Sequence, residues 1–452
     1  MAEKTIAILG GGAAGLAAAI ASASVLSREA RHGGDAVRVV VYEADSRVGR
    51  SILRSGNGRC NFTNSAITKQ VVCLLSGESV SGEPLGYHNE EFVLEALLAL
   101  EEKDECYRGG KGAKAEGSDA VRRLFADLGM LSREEGDGRC YPMSGKAATV
   151  LNVLRDAIAD LGVEVLCEAP VTCVELRRPS EGEAPSRFLL RLKDGRIGHA
   201  NHVIVATGGN TAQRLLSLVE GLEYRETTPM LSPLGLVEAD IAKRMDNVRV
   251  RCRASLLRDN NEIAKENGEV LFRKYGISGI VVFNLSRVAR PGDTLRLELL
   301  GEPGAVTTQS RLMTARKRLG SRFGCQVTCE RLLRGVLQEP VADVVLARAQ
   351  CAPDAVADKD AVGRIAHTID AFDFTIAGVG DAALAQVHRG GFAVGAPHGI
   401  PAATLEVPAV PNLAIVGEAL DVDGPCGGYN LHWAWASGML AGYCAAEAML
   451  AL

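Results

Sequence analysis

The sequence predicts an α/β protein in which a split, Rossmann-like dinucleotide-binding domain encloses an inserted β-rich region and a small helical subdomain. Three observations support this prediction. Residues 4–26 contain a short apolar run, a glycine cluster and an alanine-rich helical pattern. Short apolar runs broken by turn residues occupy 227–305, and helical periodicity occupies 309–370. A last apolar strand and helix at 412–442 would return the chain to the first domain.

The composition of the 452-residue chain is that of a globular protein, with 47% hydrophobic and 23% charged residues. Fifty Lys and Arg against 55 Asp and Glu give a formal charge of −5, so no nucleic-acid partner is expected. No apolar run is long enough to span a bilayer, and the first residues do not resemble a secretion signal. We therefore expect no membrane partner and a cytoplasmic location.

The 12 cysteines are dispersed and include no C-x-x-C pair, which favours reduced thiols. The closest pair, Cys325 and Cys329, has no nearby His or second cysteine pair to complete a tetrahedral zinc site. No metal site is predicted.

The first strand and helix predict a phosphate-binding turn. Residues 4–9 (KTIAIL) are typical of a buried strand, and the turn that follows reads Gly10-Gly11-Gly12-Ala13-Ala14-Gly15, a G-x-G-x-x-G motif. In such a motif Gly10 makes the turn, Gly12 lets a pyrophosphate approach the backbone, and Gly15 allows close helix packing. The N-terminus of the helix then offers free N–H groups to the anion.

The second strand is predicted at 37–42 and ends in Glu43, which would accept hydrogen bonds from the adenosine ribose. The interval from Gly15 to Glu43 exceeds the usual value of about 20 residues, and a surface insertion at 27–35 would account for the excess. Because strand, motif, helix, strand and acid follow in order, the sequence predicts dinucleotide binding.

Two further segments bear on which dinucleotide is bound. Residues 49–64 (GRSILRSGNGRCNFTN) predict an extended loop, in which Arg59 and Asn61 can donate to a ribityl chain and a flavin edge. The alternative is an ordinary surface loop. Residues 202–209 predict a strand running into Thr-Gly-Gly, where the missing side chains let the backbone approach a cofactor.

Near the C-terminus, a strand at 413–416 is predicted to end at Gly417-Glu418, and Gly427-Gly428 to open a long helix. The N-terminus of that helix could stabilise an anionic reduced flavin. Tyr429 is the leading candidate for a proton donor. His432 and His398 are weaker candidates, since a buried His more often has a structural role.

Other residues in these segments allow two interpretations. Cys60 could be a redox thiol but has no partner cysteine nearby, so packing is favoured, and Cys426 is a similar case. Trp433 and Trp435 are expected on different faces of the last helix, with one in the core. A second glycine-rich motif, at 378–383, lacks a following strand that ends in an acid and is interpreted as structural.

Several of these segments together resemble one flavoprotein family. The matching stretches are GRCNFTN at 58–64, DGRCYPMSGKA at 137–147, ATGG at 206–209, GEVLFRKYGISG at 268–279 and GEALDVDGPCGGYN at 417–430. They resemble the BaiN/YhiN-type family, often called aminoacetone-oxidase-like, over nearly the whole chain. The resemblance implies a split, Rossmann-like FAD-binding domain of the two-dinucleotide-binding type, with an inserted β-barrel and a small helical subdomain.

We accordingly expect five segments: 1–210 and 396–452 as the two parts of the FAD-binding domain, 211–308 as the first part of the barrel, 309–371 as the helical subdomain, and 372–395 as the return strands. The residues expected to bind FAD, from the motifs and the resemblance, are Gly10, Gly12, Ala13, Ala14, Gly15, Glu43, Ala44, Gly49, Arg50, Gly56, Asn57, Arg59, Cys60, Asn61, Val171, Thr207, Gly208, Gly417, Glu418, Asp423, Gly427, Gly428, Tyr429 and Asn430.

The activity that the resemblance implies is an FAD-dependent oxidoreduction. The leading expectation is reduction of a carbon–carbon double bond conjugated to a ketone, as in 3-dehydro-bile-acid reductase members, with NAD(P)H binding transiently as electron donor. The first alternative is oxidation of a small amine such as aminoacetone, with oxygen as acceptor and hydrogen peroxide as product. The second is a flavin-binding or scaffold protein without catalysis. A small-molecule substrate is expected in the enzymatic cases, and the sequence does not predict the oligomeric state.

Overall fold

The computed structural model describes residues 4–30, 37–78, 84–109, 117–177, 187–209, 212, 215, 222–301, 306–395 and 399–451. The chain forms two compact units. The cofactor unit comprises Met1–Thr228 and His388–Leu452, and the insert unit comprises Pro229–Val387. The sequence prediction had placed the corresponding boundaries after residues 210 and 395.

The strands, in chain order, are β1 Lys4–Leu9, β2 Val37–Tyr42, β3 Thr63–Asn64, β4 Ser132–Glu135, β5 Arg139–Pro142, β6 Glu164–Leu166, β7 Val171–Leu176, β8 Phe188–Leu192, β9 Ile197–Ala200, β10 His202–Val205, β11 Tyr224–Met230, β12 Leu234–Leu236, β13 Arg249–Arg258, β14 Asn261–Arg273, β15 Gly276–Ser278, β16 Thr294–Glu298, β17 Phe372–Val379, β18 Val387–Phe392 and β19 Leu413–Ile415.

The helices are α1 Ala13–Ala30, α2 Arg50–Arg54, α3 Ser65–Ser76, α4 Glu90–Tyr107, α5 Ala120–Asp127, α6 Ala147–Asp160, α7 Ala239–Arg244, α8 Ile280–Ser286, α9 Thr308–Phe323, α10 Cys329–Leu333, α11 Glu339–Arg348, α12 Lys359–Asp370 and α13 Tyr429–Ala451. Short 3₁₀ turns occur at Ser55–Gly58, Gly136–Gly138, Ala382–Leu384 and Gly417–Ala419. No helix in the described ranges is long and apolar enough to cross a membrane.

The centre of the cofactor unit is a parallel sheet of five strands in the order β19-β10-β1-β2-β6. Its central strands are buried on both faces, as their near-continuous apolar sequences require. The strand order reverses at β1, because the chain adds β2 and β6 on one side and β10 and β19 on the other. In such sheets ligands bind beyond the carboxyl ends of the strands at the reversal.

Helices α1 and α13 pack with their backbones almost in contact. A Cβ atom at Gly438 would lie 2.2 Å from the carbonyl oxygen of Ala14, and one at Gly442 would lie 2.6 Å from that of Ala18. The alanine-rich sequence of α1 therefore serves helix packing, and small residues on both helices allow it. This contact anchors the beginning of α1 against the C-terminal part of the chain.

One local prediction was wrong. Residues 49–64 were expected to form an extended loop, yet they contain helix α2, a 3₁₀ turn and strand β3. Ile52 in α2 is fully buried, and Gly49 before it adopts the left-handed conformation with φ 74°. The high content of glycine and arginine predicts a loop, whereas the burial of one apolar side chain stabilises a helical turn.

The insert unit contains a closed barrel of six strands, β12-β15-β14-β13-β16-β17, and the helical subdomain α9–α12 lies between β16 and β17 in sequence. Phe272, Phe372 and Phe374 are buried in its core. The second glycine-rich motif lies at the end of β17, where Gly378 pairs with Gly235 of β12. The predicted architecture, a split Rossmann-like domain with an inserted β-barrel and a small helical subdomain, is confirmed.

Candidate flavin site

The glycine turn follows β1, and each motif glycine meets a different steric environment. Gly10 has φ 105°, and a Cβ there would lie 2.5 Å from the carbonyl oxygen of Ala206. At Gly15 a Cβ would lie 1.8 Å from the carbonyl oxygen of Gly10. At Gly12, by contrast, the nearest atom is Ser51 Oγ at 3.6 Å, so the space above it is open. Gly10 and Gly15 thus hold the turn together, whereas Gly12 leaves room for a ligand.

The acid at the end of β2 stabilises this turn directly. Glu43 accepts hydrogen bonds from the backbone N–H groups of Gly11 and Asp45, both at 2.8 Å. Its backbone also accepts from Ala169, shortly before β7, which begins at Val171. Glu43 is half-buried and the adjacent Ala44 is exposed. Each carboxylate oxygen keeps a lone pair, so ribose binding by Glu43 stays a prediction.

Two buried polar atoms in the predicted flavin-binding segments have no hydrogen-bond partner among the described residues: Thr207 Oγ1, after β10, and Asn61 Oδ1, before β3. Beside Thr207, a Cβ at Gly208 would meet nothing within 4 Å. Unsatisfied buried polar atoms are uncommon, and a bound ligand is one explanation for them. Together with the open space at Gly12 and the N-terminus of α1, these atoms fit a bound dinucleotide.

The structure joins the Asn61 segment to the C-terminal motif. Asn64 donates from Nδ2 to the carbonyl oxygen of Gly427 at 2.9 Å, and Thr63 Oγ1 lies 2.7 Å from His432 Nδ1. A Cβ at Gly428 would lie 2.4 Å from the carbonyl oxygen of Thr63 and 3.0 Å from Asn61 Oδ1. Neither Thr63 nor Asn64 is predicted as a site residue from the sequence, because their partners are more than 360 residues away.

Other predicted residues of the 49–64 segment have protein partners. Arg59 pairs with Glu135 and lies 4.1 Å above the ring of Tyr141. Arg50 pairs with Asp45 at 2.6 Å on the surface. Cys60 is fully buried with a left-handed backbone, and burial raises the pKa of its thiol to about 11. This environment favours the packing interpretation of Cys60.

Gly56 and Asn57 also adopt left-handed conformations, with φ near 55°. A Cβ at Gly56 would lie 2.8 Å from the backbone nitrogen of Asn61. The two residues therefore form a tight turn that directs the chain towards Asn61.

The C-terminal motif carries two buried carboxylates with cationic partners. Asp423 is fully buried and accepts two hydrogen bonds from Arg389, at 2.7 and 3.0 Å. Asp421 is 1% exposed and pairs with Arg225 at 2.7 Å. Although burial opposes ionisation, hydrogen bonds from His88 and Arg225 lower the pKa of Asp421 to about 2. We expected Asp423 at the cofactor, and the structure shows its carboxylate bound to Arg389.

Glu418, after β19, pairs with a histidine that the sequence does not predict as a site residue. One carboxylate oxygen of Glu418 accepts from the backbone N–H of His388 at 2.9 Å and lies 3.0 Å from His388 Nδ1. Both side chains are about one-third exposed. The hydrogen bond that His388 donates to the Glu418 carboxylate raises the pKa of His388 above its ordinary value. Nothing in the local sequence of His388 indicates this pair.

The proton-donor candidates on α13 lie in different surroundings. Tyr429 is partly buried, its ring edge packs on Tyr87, and burial raises the pKa of its hydroxyl. His432 is 1% exposed, and burial lowers its pKa, so the ring is neutral at pH 7. His398 lies outside the described residues. Asn430 closes its own loop by bonding to the backbone of Gly424 in both directions.

The two tryptophans lie on different faces of α13, as expected, but both are in the core. Trp433 is 2% exposed and donates to the carbonyl oxygen of Gly417, and Trp435 is fully buried and donates to that of Phe62. At least one was expected in the core, and both are there because α13 is covered on nearly all sides. No cluster of three or more metal-binding side chains occurs in the described part of the chain.

We expect Glu418→Gln to lower the pKa of His388, because the amide keeps the acceptor for the backbone N–H but removes the negative charge. A pH titration of ¹³C-labelled histidine resonances would measure this shift, with His388→Asn used to assign the signal. Since the folded-state pKa is raised, the pair stabilises the protein below pH about 6.5, and this contribution is lost as pH rises through the folded-state pKa. An unchanged His388 pKa in Glu418→Gln would contradict the assignment.

The model of the family described as the HI0933-like protein Rossmann domain matches residues 115–444. The chain is 31% identical to a 3-dehydro-bile acid delta(4,6)-reductase of Clostridium scindens, over 98% of this chain and 99% of that protein. It is 25% identical to a ribosomal RNA dihydrouridine synthase of Haemophilus influenzae, over 95% of both chains. A protein of the same description from Escherichia coli is also 25% identical over 95% of both.

Among solved structures, the chain is similar to a 3-ketosteroid-delta4-(5alpha)-dehydrogenase from Rhodococcus jostii, with a TM-score of 0.43 and 14% identity over 99% of this chain and 98% of that one. The family model covers well over half of the sequence, and the Clostridium relative is matched end to end. The chain therefore belongs to the HI0933-like family, and its fold is that of a Rossmann-type flavoprotein.

Proposed function

We propose that this protein is an FAD-dependent oxidoreductase that uses NAD(P)H to reduce a carbon–carbon double bond conjugated to a carbonyl group. The observation that carries the proposal is the convergence at one edge of the sheet. Gly12, beside its open space, follows β1, Thr207 with its unpartnered hydroxyl follows β10, and Glu418, the partner of His388, follows β19, three neighbouring strands of the parallel sheet. The end-to-end relationship to a reductase supports the same chemistry.

Bound FAD would supply hydride acceptance from the nicotinamide and hydride delivery to the substrate. The overall reaction consumes NAD(P)H, a proton and the double bond, and yields NAD(P)⁺ and the saturated carbonyl compound. The protein must therefore hold the FAD, orient the substrate and provide the proton. Gly12 and the N-terminus of α1 would hold the pyrophosphate, and Thr207 and Asn61 would contact the cofactor through their unpartnered atoms.

Two side chains are candidates for the proton donor. His388 keeps a proton readily because Glu418 raises its pKa, and it is partly accessible. Tyr429, the candidate from the sequence, keeps its proton at neutral pH because burial raises its pKa. If His388 provides the proton, His388→Asn should lower kcat at pH 7 and abolish the decrease of kcat at alkaline pH. Tyr429→Phe should retain that decrease.

Two substrate classes share this chemistry. The first is a planar enone of the steroid or bile-acid type, suggested by the 31% identical reductase. The second is the uracil ring of RNA, suggested by the two dihydrouridine synthases, since dihydrouridine is uridine whose ring double bond, conjugated to a carbonyl, has been reduced. The first is favoured by the higher identity. The second class, a base in RNA, differs from the expectation of no nucleic-acid partner, which was based on the overall charge.

The decisive experiment is anaerobic mixing of the FAD-loaded protein with NADH or NADPH while the flavin absorbance near about 450 nm is followed. We expect rapid bleaching, then recovery of the absorbance on addition of a 4-en-3-one steroid or a uridine-containing RNA. Bound flavin that neither NADH nor NADPH reduces would refute the proposed reductase activity. Peroxide release with aminoacetone and oxygen would then identify the amine oxidase, and no reduction by either route would indicate flavin binding without catalysis.

A further inference from the structure

The helical subdomain has a pocket of about 610 Å³ that is lined only by residues of the insert unit. Its first wall is one face of α9, on which the lining residues follow the spacing i, i+3, i+4, i+7 and i+8: Met313, Arg316, Lys317, Gly320 and Ser321. Small-molecule sites typically have volumes of about 300 to 1,000 Å³. The pocket therefore has room for a small ligand.

The opposite wall is the segment that follows α9, and backbone contacts hold it in place. Gly324 is left-handed with φ 59°, and its N–H donates to the carbonyl oxygen of Gly320 at 2.9 Å, so the chain reverses there. The chain then runs back beside the helix, and a Cβ at Gly320 would lie 3.7 Å from the carbonyl oxygen of Cys325. Val327 is buried, and its carbonyl oxygen accepts from the N–H of Ala357 at 2.9 Å. Contacts within the subdomain thus fix both walls.

Two cations of the lining have no counter-charge. Arg316 and Lys317 are adjacent on α9, and neither makes an ion pair with a residue that the structure describes. A third cation reaches the opposite wall, where Arg331 donates to the Sγ atom of Cys325 at 3.2 Å. Like charges so close together repel one another, and a bound anion would relieve that repulsion. The lining therefore favours an anionic ligand.

No carboxylate lines the pocket, although three acids are near it in sequence. Glu330 pairs with Arg334. Asp358 accepts a hydrogen bond at 2.8 Å from the backbone N–H of Ala361, at the beginning of α12, and Asp354 is exposed to solvent. An anion that enters the pocket consequently meets cations and neutral groups in its lining.

The neutral part of the lining is suited to a phosphate group with a small apolar body. Ser321 and Gln326 supply a hydroxyl and an amide, and neither side chain forms a hydrogen bond with the described part of the chain. Met313 and Val356 supply apolar contacts. A phosphate monoester carries about 1.5 to 2 negative charges at pH 7 and binds a guanidinium in bidentate geometry, whereas a carboxylate carries one charge. A lining with several cations and no acid fits the more highly charged group.

We propose that this pocket binds a small phosphate monoester, with the phosphate group held by Arg316 and Lys317 and the apolar part of the molecule in contact with Met313 and Val356. None of the residues proposed to bind FAD lines the pocket. The site does not depend on the reductase activity, because its charge and its shape alone define it.

Cys325 provides a direct readout of binding, because its exposed thiol lines the pocket. The FAD-loaded full chain is treated with iodoacetamide with and without phenyl phosphate at matched ionic strength, and peptide mass spectrometry follows the alkylation of each cysteine. Bound phenyl phosphate should shield Cys325, and at about four times its dissociation constant the alkylation rate should fall about fivefold. Cys106, which is exposed in the cofactor unit, should react at an unchanged rate. Phenol, which lacks the phosphate, should not protect Cys325.

Two lining variants and a matched control test which residues hold the phosphate. Arg316→Gln/Lys317→Gln should lose the protection, whereas Lys243→Gln/Arg244→Gln should retain it. The control removes one Lys and one Arg from adjacent exposed positions of α7, in the same unit. Ser321→Glu introduces a carboxylate into the lining and should also lose the protection. Protection is a ratio of two rates within one protein, so a change in the basal reactivity of the thiol does not affect it.

Three results would overturn the proposal: no protection of Cys325 in the wild type, equal protection of Cys325 and Cys106, or full protection in either lining variant. Stronger protection by benzoate than by phenyl phosphate would overturn the assignment of a phosphate ligand. Because no turnover is measured, failure of the reductase proposal would leave these results interpretable.

Discussion

Gly12→Val should fold normally and lose most of its FAD. The backbone of Gly12 is outside the left-handed region, and the nearest atom to a Cβ there is Ser51 Oγ at 3.6 Å, so the Cβ of the new side chain meets no clash within the protein. The branched side chain would instead fill the open space in which the pyrophosphate is proposed to lie. We expect the ratio of flavin to protein absorbance after purification to fall tenfold or more, with an unchanged circular dichroism spectrum.

Gly335→Val is the matched control for this experiment. Gly335 also lies outside the left-handed region, and a Cβ there would meet nothing within 4 Å, but it belongs to the insert unit. Its FAD content should equal that of the wild type. Full retention of FAD by Gly12→Val would refute the proposed position of the pyrophosphate. Loss of fold in Gly12→Val would contradict the steric argument itself.

Arg123→Met should destabilise the cofactor unit by about 3–5 kcal/mol. The Arg123 side chain is 1% exposed and bridges two buried carboxylates, Glu101 at 2.6 Å and Asp104 at 2.5 Å. In addition to the contact with Arg123, Asp104 accepts a hydrogen bond from the Tyr443 hydroxyl. Removing the guanidinium leaves the buried Glu101 without its counter-charge and leaves Asp104 with Arg108, whose Nε lies 3.9 Å from its Oδ2. Met replaces only the apolar volume. Urea unfolding monitored by circular dichroism would measure the decrease in the free energy of unfolding, with the FAD content kept equal in the two proteins.

The stability difference between the wild type and Arg123→Met should grow as the pH rises. Burial raises the pKa of Glu101 to about 7 even with Arg123 present, and removing the cation raises it further. A carboxyl group whose folded-state pKa lies above its unfolded value of about 4.3 binds more protons when folded, so the free energy of unfolding falls as pH rises from that value to the folded-state pKa. In the wild type this fall ends near pH 7, whereas in Arg123→Met it continues to higher pH, so the difference between the two proteins grows above about pH 7. Arg191→Met, which breaks the exposed pair with Glu175, is the control and should change stability little at any pH. Equal losses in the two variants would contradict the buried-network argument.

The sequence alone determined the elements whose signals are local. The strand, glycine turn and helix at 4–30 are one continuous pattern, because the period of apolar residues and the placement of glycines follow from backbone geometry within a few residues. The alternation of short strands and turns in the insert, and the helical periodicity of 309–370, were predictable for the same reason. The exception was 49–64, where the burial of apolar residues such as Ile52 and Phe62 outweighed a loop-like composition.

Tertiary structure alone decided which side chains meet at the site. Thr63 contacts His432 across 369 residues of sequence, and Arg389 meets Asp423 only because β18 and the C-terminal motif lie side by side. The partner of Glu418, His388, has no local signature, and its raised pKa depends on a distance of 3.0 Å that spacing along the chain cannot encode. Local patterns determine secondary structure because backbone geometry is local, whereas buried charges and hydrogen bonds depend on chain segments that only folding brings together.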